Sequence, residues 1–452
     1  MGTAKRRPVK IENMMENTCI FENKTGGSGV LTVNLAALQH NYKALQEHAH
    51  GAAVAAVVKA DAYGLGAAAI APALYEAGCR LFFVAQPAEA AIVQAALAKK
   101  QAEMAKAAHL SRSKNQPVRA KSSAAVETGG SRQQSKNKTA NDTKITIAVL
   151  NDVLPHEAAP AARAGLVPVL NSIDSVREWA SLCRAERRKL PAMLQCDSGM
   201  ARLGLDKNEI KALLQAPEIL AEMEIIALVS HLSCADDEKS PINAAAEAHF
   251  LADVENLTKA LHYRPPLSLA ASSGLTLGAG FCLDIVRPGL ALYGLVAGGS
   301  RAGKLAAALR PVITLEARIL RLGQVRKGET IGYGATYKAT KSLPTATISA
   351  GYADGWPRSL SNKGAVFYRG VRLPLIGRIS MDCMVADLTP LLEAGQAMPA
   401  RGDWVELIGA HQSPHDIAQA AGTIAYEILT SLGRRYQRRY CLTPCLAAQD
   451  NM

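Results

Sequence analysis

The sequence has no long apolar run and no evident export signal. No stretch of the 452 residues reaches the roughly 18 uninterrupted apolar residues that a membrane-spanning helix needs. The N-terminus is basic, but the apolar segment of a signal peptide does not follow it. We therefore expect a cytoplasmic protein with no membrane segment.

Paired cysteines are also lacking. The nine cysteines are scattered singly, with no C-x-x-C pair, so we expect neither a zinc module nor a disulfide framework. Their odd number and wide spacing favour a reducing compartment. We predict no metal site.

Charge is plentiful but unevenly distributed. The chain carries a net charge of +12 with an ordinary 49% of hydrophobic residues. Residues 99–143 hold ten basic and three acidic residues, and residues 1–30 hold five basic and three acidic residues. The rest of the chain is close to neutral, so no large basic face and no nucleic-acid partner is expected. Weak, salt-dependent binding of polyanions through 99–143 stays an alternative.

Short apolar runs alternate with alanine-rich segments of helical period over the first two thirds of the chain. Apolar runs of four to eight residues between helical segments are typical of buried parallel strands in βα units. Eight such units predict a (β/α)8 TIM-like barrel, an α/β fold, whose reacting groups sit at the C-terminal ends of the strands. The runs are 52–58, 81–85, 145–150, 166–170, 192–196, 225–232, 267–271 and 284–289.

Three further segments depart from this alternation. Residues 1–30 are predicted to be a flexible extension, and 31–304 the barrel. Residues 99–143 have no apolar strand and read as a basic, low-complexity, disordered insertion in the barrel. From residue 305 to 452, alternating segments punctuated by Gly and Pro predict a mainly β C-terminal domain.

Several polar residues follow the predicted barrel strands. Lys59, in VVKADAYGLGA, ends the first strand, where partial desolvation would make its amine nucleophilic enough for a Schiff base. Arg202 lies in LQCDSGMARLGL, His231 in SHLSCADD, and Arg287 ends the eighth strand in DIVRPGLALYG. Each alone is more often a solvated or structural side chain.

The C-terminal domain concentrates tyrosine and glycine in a chain with only 12 tyrosines. The segments are IGYGATY, SAGYADGWPR, GRISMD and GTIAYEI. A buried tyrosine stripe is the simplest interpretation, but four such clusters in one domain indicate a functional role.

These boxes, in this order, resemble alanine racemase over about residues 31–440, apart from 99–143. The resemblance implies a pyridoxal-phosphate-dependent isomerase that interconverts L- and D-alanine and supplies D-alanine for peptidoglycan. It also implies a head-to-tail homodimer, in which the barrel of one chain and the β domain of the other form each active site.

The resemblance assigns a two-base mechanism to the chain. Lys59 would hold the cofactor through a Schiff base and act as the base on the D face, and Tyr333 would come from the partner chain and serve the L face. Bases on both faces are what racemisation needs, because one base tends to return the proton to the face it left. His231 would contact the phenol and Arg287, and Arg287 would face the pyridine nitrogen, so this cationic network would favour phenolate.

The remaining positions surround the cofactor and the entrance. Arg202 would contact the cofactor's phenolic oxygen and the substrate carboxylate, which also meets the backbone N–H of Met381. The phosphate would be held by Tyr63, Ser273, Tyr426 and the N–H groups of Gly289 and Leu290, and the entrance would be lined by Tyr352, Arg358 and Asp382.

One departure concerns Gln195, because many family members carry a carbamylated lysine there. A glutamine can accept a hydrogen bond from Arg202 but brings no negative charge.

Three other functions are alternatives to alanine racemisation. One is a broader-specificity racemase of this fold, and another is a basic amino-acid decarboxylase, for which no matching motif is present. The third is a non-catalytic pyridoxal-phosphate-binding homeostasis protein, which would lack the C-terminal domain.

Overall fold

The computed structural model describes residues 19–21, 27, 29–114, 144–297 and 302–442. These residues form a parallel barrel followed by a mainly β domain, which confirms the predicted fold class. Most of the predicted extension, 1–18, lies outside the described residues, as do 115–143 of the predicted insertion.

The first predicted strand is divided into two pieces, and the barrel closes because the two pieces pair with different neighbouring strands. Its first piece pairs with the last barrel strand, with Ala53 opposite Ile285, and its second piece pairs with the next strand, with Ala56 opposite Phe82. The eight predicted passes are thus confirmed as nine parallel segments. The segments are Ala53–Val54, Ala56–Val57, Leu81–Val84, Thr146–Val149, Val167–Leu170, Pro191–Gln195, Glu224–Val229, Leu267–Ala271 and Ile285–Arg287.

Helices follow the barrel strands. Their N-termini are frequently capped, as at Ser172, whose hydroxyl accepts from the Ser175 N–H, and Asp206, whose carboxylate accepts from two backbone N–H groups. The helices are Leu35–His48, Lys59–Tyr63, Ala67–Glu76, Pro87–Lys114, Pro155–Arg163, Ile173–Glu186, Lys207–Gln215, Glu218–Ala221, Pro241–Leu261, Ala279–Cys282 and Ala302–Ala308, with short 3-10 turns at Gly274–Thr276 and Leu290–Tyr293.

The first part of the predicted insertion is helical, so the expectation of a disordered segment is wrong there. The helix that begins at Pro87 continues without a break to Lys114. Leu97 is buried, and residues 98–107, the part of the following turns whose burial is described, are half-buried or exposed. Ala, Lys and Gln have high helix propensity, so the helix continues although residues 98–107 bury no apolar side chain.

The second domain is built on a mixed sheet that also takes in the start of the chain. The strand Gly29–Asn34 pairs with Ile313–Val325 and with Gln437–Cys441, so the chain enters the barrel only at the helix Leu35–His48. The predicted boundary between the extension and the barrel, after residue 30, falls within this strand.

Six more strands of this domain belong to the same nine-stranded sheet, and Thr330–Ile331 pairs with Tyr337–Lys338 in a separate two-stranded sheet. The strands are Cys19–Phe21, Thr330–Ile331, Tyr337–Lys338, Leu343–Ile348, Ala365–Tyr368, Val371–Pro374, Met384–Asp387 and Trp404–Ile408; the helices are Thr389–Glu393, Pro414–Ala421 and Ala425–Ser431; and the 3-10 turns are Tyr333–Ala335, Tyr352–Asp354 and Arg358–Leu360.

One hydrophobic core extends through both domains. Six cysteines within the described residues are free thiols, but Cys441 is disulfide-bonded, which corrects the expectation that none would be. Within the described part of the chain, no helix is both long and apolar enough to cross a bilayer.

Candidate active site

A cavity of about 770 Å³ opens at the C-terminal end of the barrel strands. The lining includes nine residues selected from the sequence, together with residues of the helices Pro414–Ala421 and Ala425–Ser431 from the second domain. The nine are Lys59, Tyr63, Gln195, Arg202, His231, Ser273, Arg287, Gly289 and Tyr426. Strand ends that are far apart in sequence therefore meet in one site.

The turn that carries Lys59 has an unusual backbone. The four residues after it, Ala60 to Tyr63, all have φ between 53° and 59°, which makes one turn of left-handed helix. Such a conformation costs about 1–2 kcal/mol for each residue with a side chain. The turn places Lys59 and Tyr63 in the same cavity, and contacts from outside must hold it in place.

Those contacts come from three parts of the molecule, and sequence reasoning missed most of them. Glu89 accepts a hydrogen bond from the Ala60 N–H at 2.8 Å. Asp61 accepts from the Ala67 N–H at 2.8 Å, and Arg438 donates to the Gly64 carbonyl at 2.9 Å. The start of the helix after the second strand was the signal that could have pointed to Glu89.

The cavity is strongly cationic, and this shifts the protonation of its bases. Burial, aided by the positive charge of Arg202, lowers the pKa of Lys59. Burial, followed by the charges of Arg287, Arg202 and Lys59, lowers the pKa of His231 to about 3. His231 is therefore neutral near pH 7, while the Lys59 amine loses its proton more readily than in water.

Arg287 is fixed by neutral oxygen atoms. Its guanidinium donates to the Ser268 hydroxyl and to the Ser230 carbonyl. Among the described residues no hydrogen bond joins it to His231, which corrects the expected contact; its effect on His231 is electrostatic. Burial lowers the pKa of Arg287 to about 10, so it remains a cation at neutral pH. The positive charge beside His231 therefore comes from the Arg287 guanidinium, because the His231 imidazole is itself neutral.

The loop that carries Arg202 is organised by Asp197. Its carboxylate accepts hydrogen bonds from the backbone N–H groups of Gly199, Met200 and Ala201, at 2.9–3.1 Å. Gly204 has a φ of +114° and lies against the Asp197 backbone, so a side chain there would strain the loop. These contacts orient Arg202 toward the cavity.

Gln195 accepts no hydrogen bond from Arg202 among the described residues, contrary to the expectation from the sequence. It is buried, and its amide donates to the Leu203 carbonyl at 3.0 Å. Gln195 therefore holds the backbone next to Arg202 rather than its guanidinium.

We call the phosphate cradle the five residues that are predicted to hold a phosphate: Tyr63, Ser273, Tyr426, Gly289 and Leu290. A Cβ atom built at Gly289 would overlap the Tyr63 hydroxyl, so only glycine leaves that hydroxyl its place. The Ser272 hydroxyl accepts from the Gly289 N–H at 3.0 Å, so that N–H is already engaged. The Leu290 N–H donates to no described residue. Burial raises the pKa of Tyr63 and of Tyr426, so both phenols keep their protons as donors.

These donors fit pyridoxal phosphate. The cradle supplies neutral hydroxyl and N–H donors, which suit phosphate oxygens. Lys59 supplies a desolvated amine in the same cavity, and Arg202 and Arg287 supply positive charge for further anionic groups.

The other predicted residues lie on a separate surface of the second domain. Tyr333 is 69% exposed, Met381 52% and Tyr352 43%, and none of them lines the cavity. Two backbone bonds, from the Tyr352 N–H to the Ser380 carbonyl and from the Ala353 N–H to the Met381 carbonyl, join two of these loops. Within one chain, Tyr333, the predicted second base, therefore lies outside the cavity that Lys59 lines.

Asp382 and Arg358 belong to the same surface. Arg435 bridges Asp382 and the buried Asp354, at 2.7 and 3.2 Å. The Arg358 carbonyl accepts from the Ser361 N–H and hydroxyl, and this closes the neighbouring turn.

Comparisons with known proteins agree with this geometry. The sequence matches the family described as alanine racemase, N-terminal domain, over residues 33–297, and alanine racemase, C-terminal domain, over 312–440. Alanine racemase of Brucella abortus (strain 2308) is 41% identical over 430 residues, covering 93% of this chain and 95% of that protein. A protein named "Alanine racemase, catabolic", from Agrobacterium fabrum, is 38% identical, covering 92% of each.

Solved structures lead to the same family. Alanine racemase from Bartonella henselae, with covalently bound pyridoxal phosphate, superposes with a TM-score of 0.76 and 37% identity over 92% of this chain and all of that one. The enzyme from Streptomyces lavendulae gives 0.75 and 27% identity, covering 92% and 98%. With both family domains matched along most of its length, the chain belongs to the alanine racemase family, whose members are pyridoxal-phosphate-dependent.

Proposed function

We propose that the protein interconverts L- and D-alanine by a two-base mechanism, with Lys59 on one face of the substrate and Tyr333 of the partner subunit on the other. The observation that carries this proposal is the desolvated Lys59 amine, whose pKa is lowered in a cationic cavity. Bound pyridoxal phosphate supplies the electron sink that makes the α-proton of an amino acid removable.

The chain's own residues provide for binding and proton movement. Lys59 would hold the cofactor and, as a free amine, would accept or return a proton at its Nζ atom. Arg202 binds the substrate carboxylate, with help from the backbone N–H of Met381 of the partner subunit. Tyr63, Ser273, Tyr426 and the Leu290 N–H hold the phosphate, whereas the Gly289 N–H, expected to do the same, is engaged by Ser272.

The positive charge around the second base favours its phenolate. Burial and the charges of Arg287 and Arg202 lower the pKa of His231, so His231 is neutral and the positive charge comes from the two arginines. A neutral imidazole still has one N–H group, which can donate a hydrogen bond to the phenolate oxygen of Tyr333 of the partner subunit and so stabilise the basic form.

We also propose a head-to-tail homodimer. Tyr333, Tyr352 and Met381 lie together on the exposed surface of the second domain, outside the cavity of their own chain. In a second copy that surface would cover the cavity mouth, with Tyr352, Arg358 and Asp382 at its entrance. This narrow entrance supports a preference for alanine over larger amino acids.

Complementation between two inactive variants tests base and dimer together. Lys59→Ala and Tyr333→Phe should each lose racemisation. Mixing unfolded and refolded chains in equal amounts should restore about a quarter of the wild-type activity, because half of the random dimers are mixed and each mixed dimer holds one intact site. If mixing restores nothing while light scattering shows dimers, the shared site is rejected.

We place the enzyme in the cytoplasm and assign its product to peptidoglycan. Six free thiols among the described residues support a reducing compartment, and the disulfide at Cys441 is the observation that opposes it. The catabolic relatives favour an alternative role in using D-alanine as a nutrient. A deletion strain that needs D-alanine for growth would support the wall role, and one that fails only on D-alanine as carbon source would support the other.

A further inference from the structure

The left-handed turn after Lys59 depends on Glu89. Ala60 begins the turn, and its N–H points out of it to Glu89 Oε1 at 2.8 Å. Later N–H groups find partners nearby, as when the Gly64 N–H bonds to the Ala60 carbonyl at 2.7 Å. The residue next to Lys59 is therefore the one that is tied down from outside.

The two carboxylate oxygens of Glu89 have separate tasks. Oε2 accepts from the N–H groups of Ala85 and Gln86, at 2.7 and 3.3 Å, where the helix Pro87–Lys114 begins. This is half of a capping box, and by itself it would make Glu89 a structural residue. Oε1 is left over for Ala60, so one side chain connects the end of the second strand to the turn of the first.

We propose that Glu89 is a positioning residue for Lys59, which holds the strained turn in register and places a negative charge near the lysine amine. The inference rests on the proposed function, in which Lys59 carries the cofactor and acts as a base. Without Glu89, the left-handed turn loses its first anchor and is free to relax toward an unstrained conformation.

The charge of Glu89 acts on Lys59 against its other neighbours. Arg202 and Arg287 lower the pKa of Lys59, and the neutral His231 also faces it. Glu89 acts in the opposite direction and raises the pKa of the amine. Removing this charge should therefore leave Lys59 deprotonated down to a lower pH than in the wild type.

Glu89→Gln tests both contributions with little change of shape. The glutamine has one accepting oxygen and one donating amide nitrogen, but the native oxygens both face N–H donors. One contact must be lost, and the charge goes with it. Glu89→Asp keeps the charge but shortens the reach by one methylene.

Glu209 provides a matched control because its contacts follow the same plan. Oε2 accepts from the Asp206 N–H at 2.9 Å at the start of its own helix, and Oε1 accepts from the Ile173 N–H of a neighbouring helix at 2.9 Å. Glu209 does not line the cavity. Glu209→Gln therefore removes the same kinds of bond without touching the turn after Lys59.

Two measurements on the full-length chain separate positioning from capping. Hydrogen exchange, with the cofactor bound and after its removal, reports on the Ala60 amide. Competitive labelling of the cofactor-free protein with an amine acylating reagent, read by peptide mass spectrometry over a pH series, gives the titration midpoint of Lys59. Neither readout depends on racemisation.

We expect Glu89→Gln to speed exchange at Ala60 on the order of tenfold, the effect of losing one charge-assisted bond, and to lower the Lys59 midpoint. Glu89→Asp should speed exchange but keep the midpoint nearer to the wild type. Glu209→Gln should lose similar thermal stability and change neither readout.

Three results would overturn the proposal: Glu89→Gln with wild-type exchange and midpoint, equal changes in Glu209→Gln, or failure of both Glu89 variants to fold, which would make Glu89 a folding residue. If both readouts change as expected but the wild type does not racemise alanine, the proposed function fails and the anchoring of Lys59 stands.

Discussion

The phosphate cradle predicts a large effect from a single methyl group at Gly289. The backbone there has a φ of −120°, so alanine would add no left-handed strain. Its Cβ would overlap the Tyr63 hydroxyl and lie 2.8 Å from Cζ, where ordinary contacts begin at 3.4 Å. The phenol must therefore retreat by about 0.6 Å or more.

Tyr63 has little room for that movement. Its ring lies between Tyr293 and Tyr426, with centroids 5.2 and 6.0 Å away. Overpacking of a filled site costs about 1–3 kcal/mol of folding free energy, whereas a lost hydrogen bond to a charged phosphate costs about 1.5–3 kcal/mol of binding free energy. Since 1.4 kcal/mol is a factor of ten, we expect the Kd for pyridoxal phosphate to rise on the order of 10- to 100-fold in Gly289→Ala.

The assay is a titration of cofactor-free protein with pyridoxal phosphate, followed by absorbance. Gly303→Ala is the control, because nothing lies within 4 Å of the added methyl and the residue is in a helix. The double variant with Tyr63→Phe should be weaker than Tyr63→Phe alone by less than the Gly289→Ala effect, since both changes act on one hydroxyl. A Gly289→Ala protein that binds with wild-type affinity, or effects that add fully, would refute this account of the cradle.

Two other substitutions and one deletion test further parts of the chain. Tyr333→Phe should bind cofactor normally but lose most racemisation, with solvent exchange of the D-alanine α-proton surviving better than that of L-alanine; equal loss from both would reject the assignment of faces. Replacing 101–141 by a short Gly/Ser linker should keep kcat within a few-fold, because residues 98–107 of the helix it shortens bury no side chain; loss of soluble protein would contradict this. Gln195→Lys should be impaired without bicarbonate and partly rescued by it, because an ammonium near Arg202 costs about 1–4 kcal/mol; equal activity in both conditions would show that the added charge is not felt.

The barrel could be predicted because its strands are buried on both faces and so appear as continuous apolar runs. The candidate site followed from the same pattern, since residues just after parallel strands meet at one end of the barrel. Lys59, Arg202 and Arg287 were found in this way. The division of the first strand at Ala55 left the number of passes unchanged.

Contacts between distant segments could not be predicted in the same way. Glu89 looks like an ordinary acidic residue at a helix start, and its second bond exists only because the chain after Lys59 turns left-handed. Gln195 turns to a backbone carbonyl, a choice set by the loop around Leu203. The strand Gly29–Asn34 pairs directly with two strands that lie nearly three hundred or more residues away along the chain.

The charges of the cavity connect its stability to its ligands. Lys59, Arg202 and Arg287 face the same space, and Asp236 is the only carboxylate among the described lining residues. Like charges brought together out of water oppose folding, and the lowered pKa of His231 records that opposition. A dianionic phosphate and a substrate carboxylate relieve it, so binding stabilises the folded chain by mass action as well as by contact. Because Gln195 adds no negative charge beside Arg202, this dependence on anionic ligands should be stronger here than in a protein with a carbamylated lysine at that position.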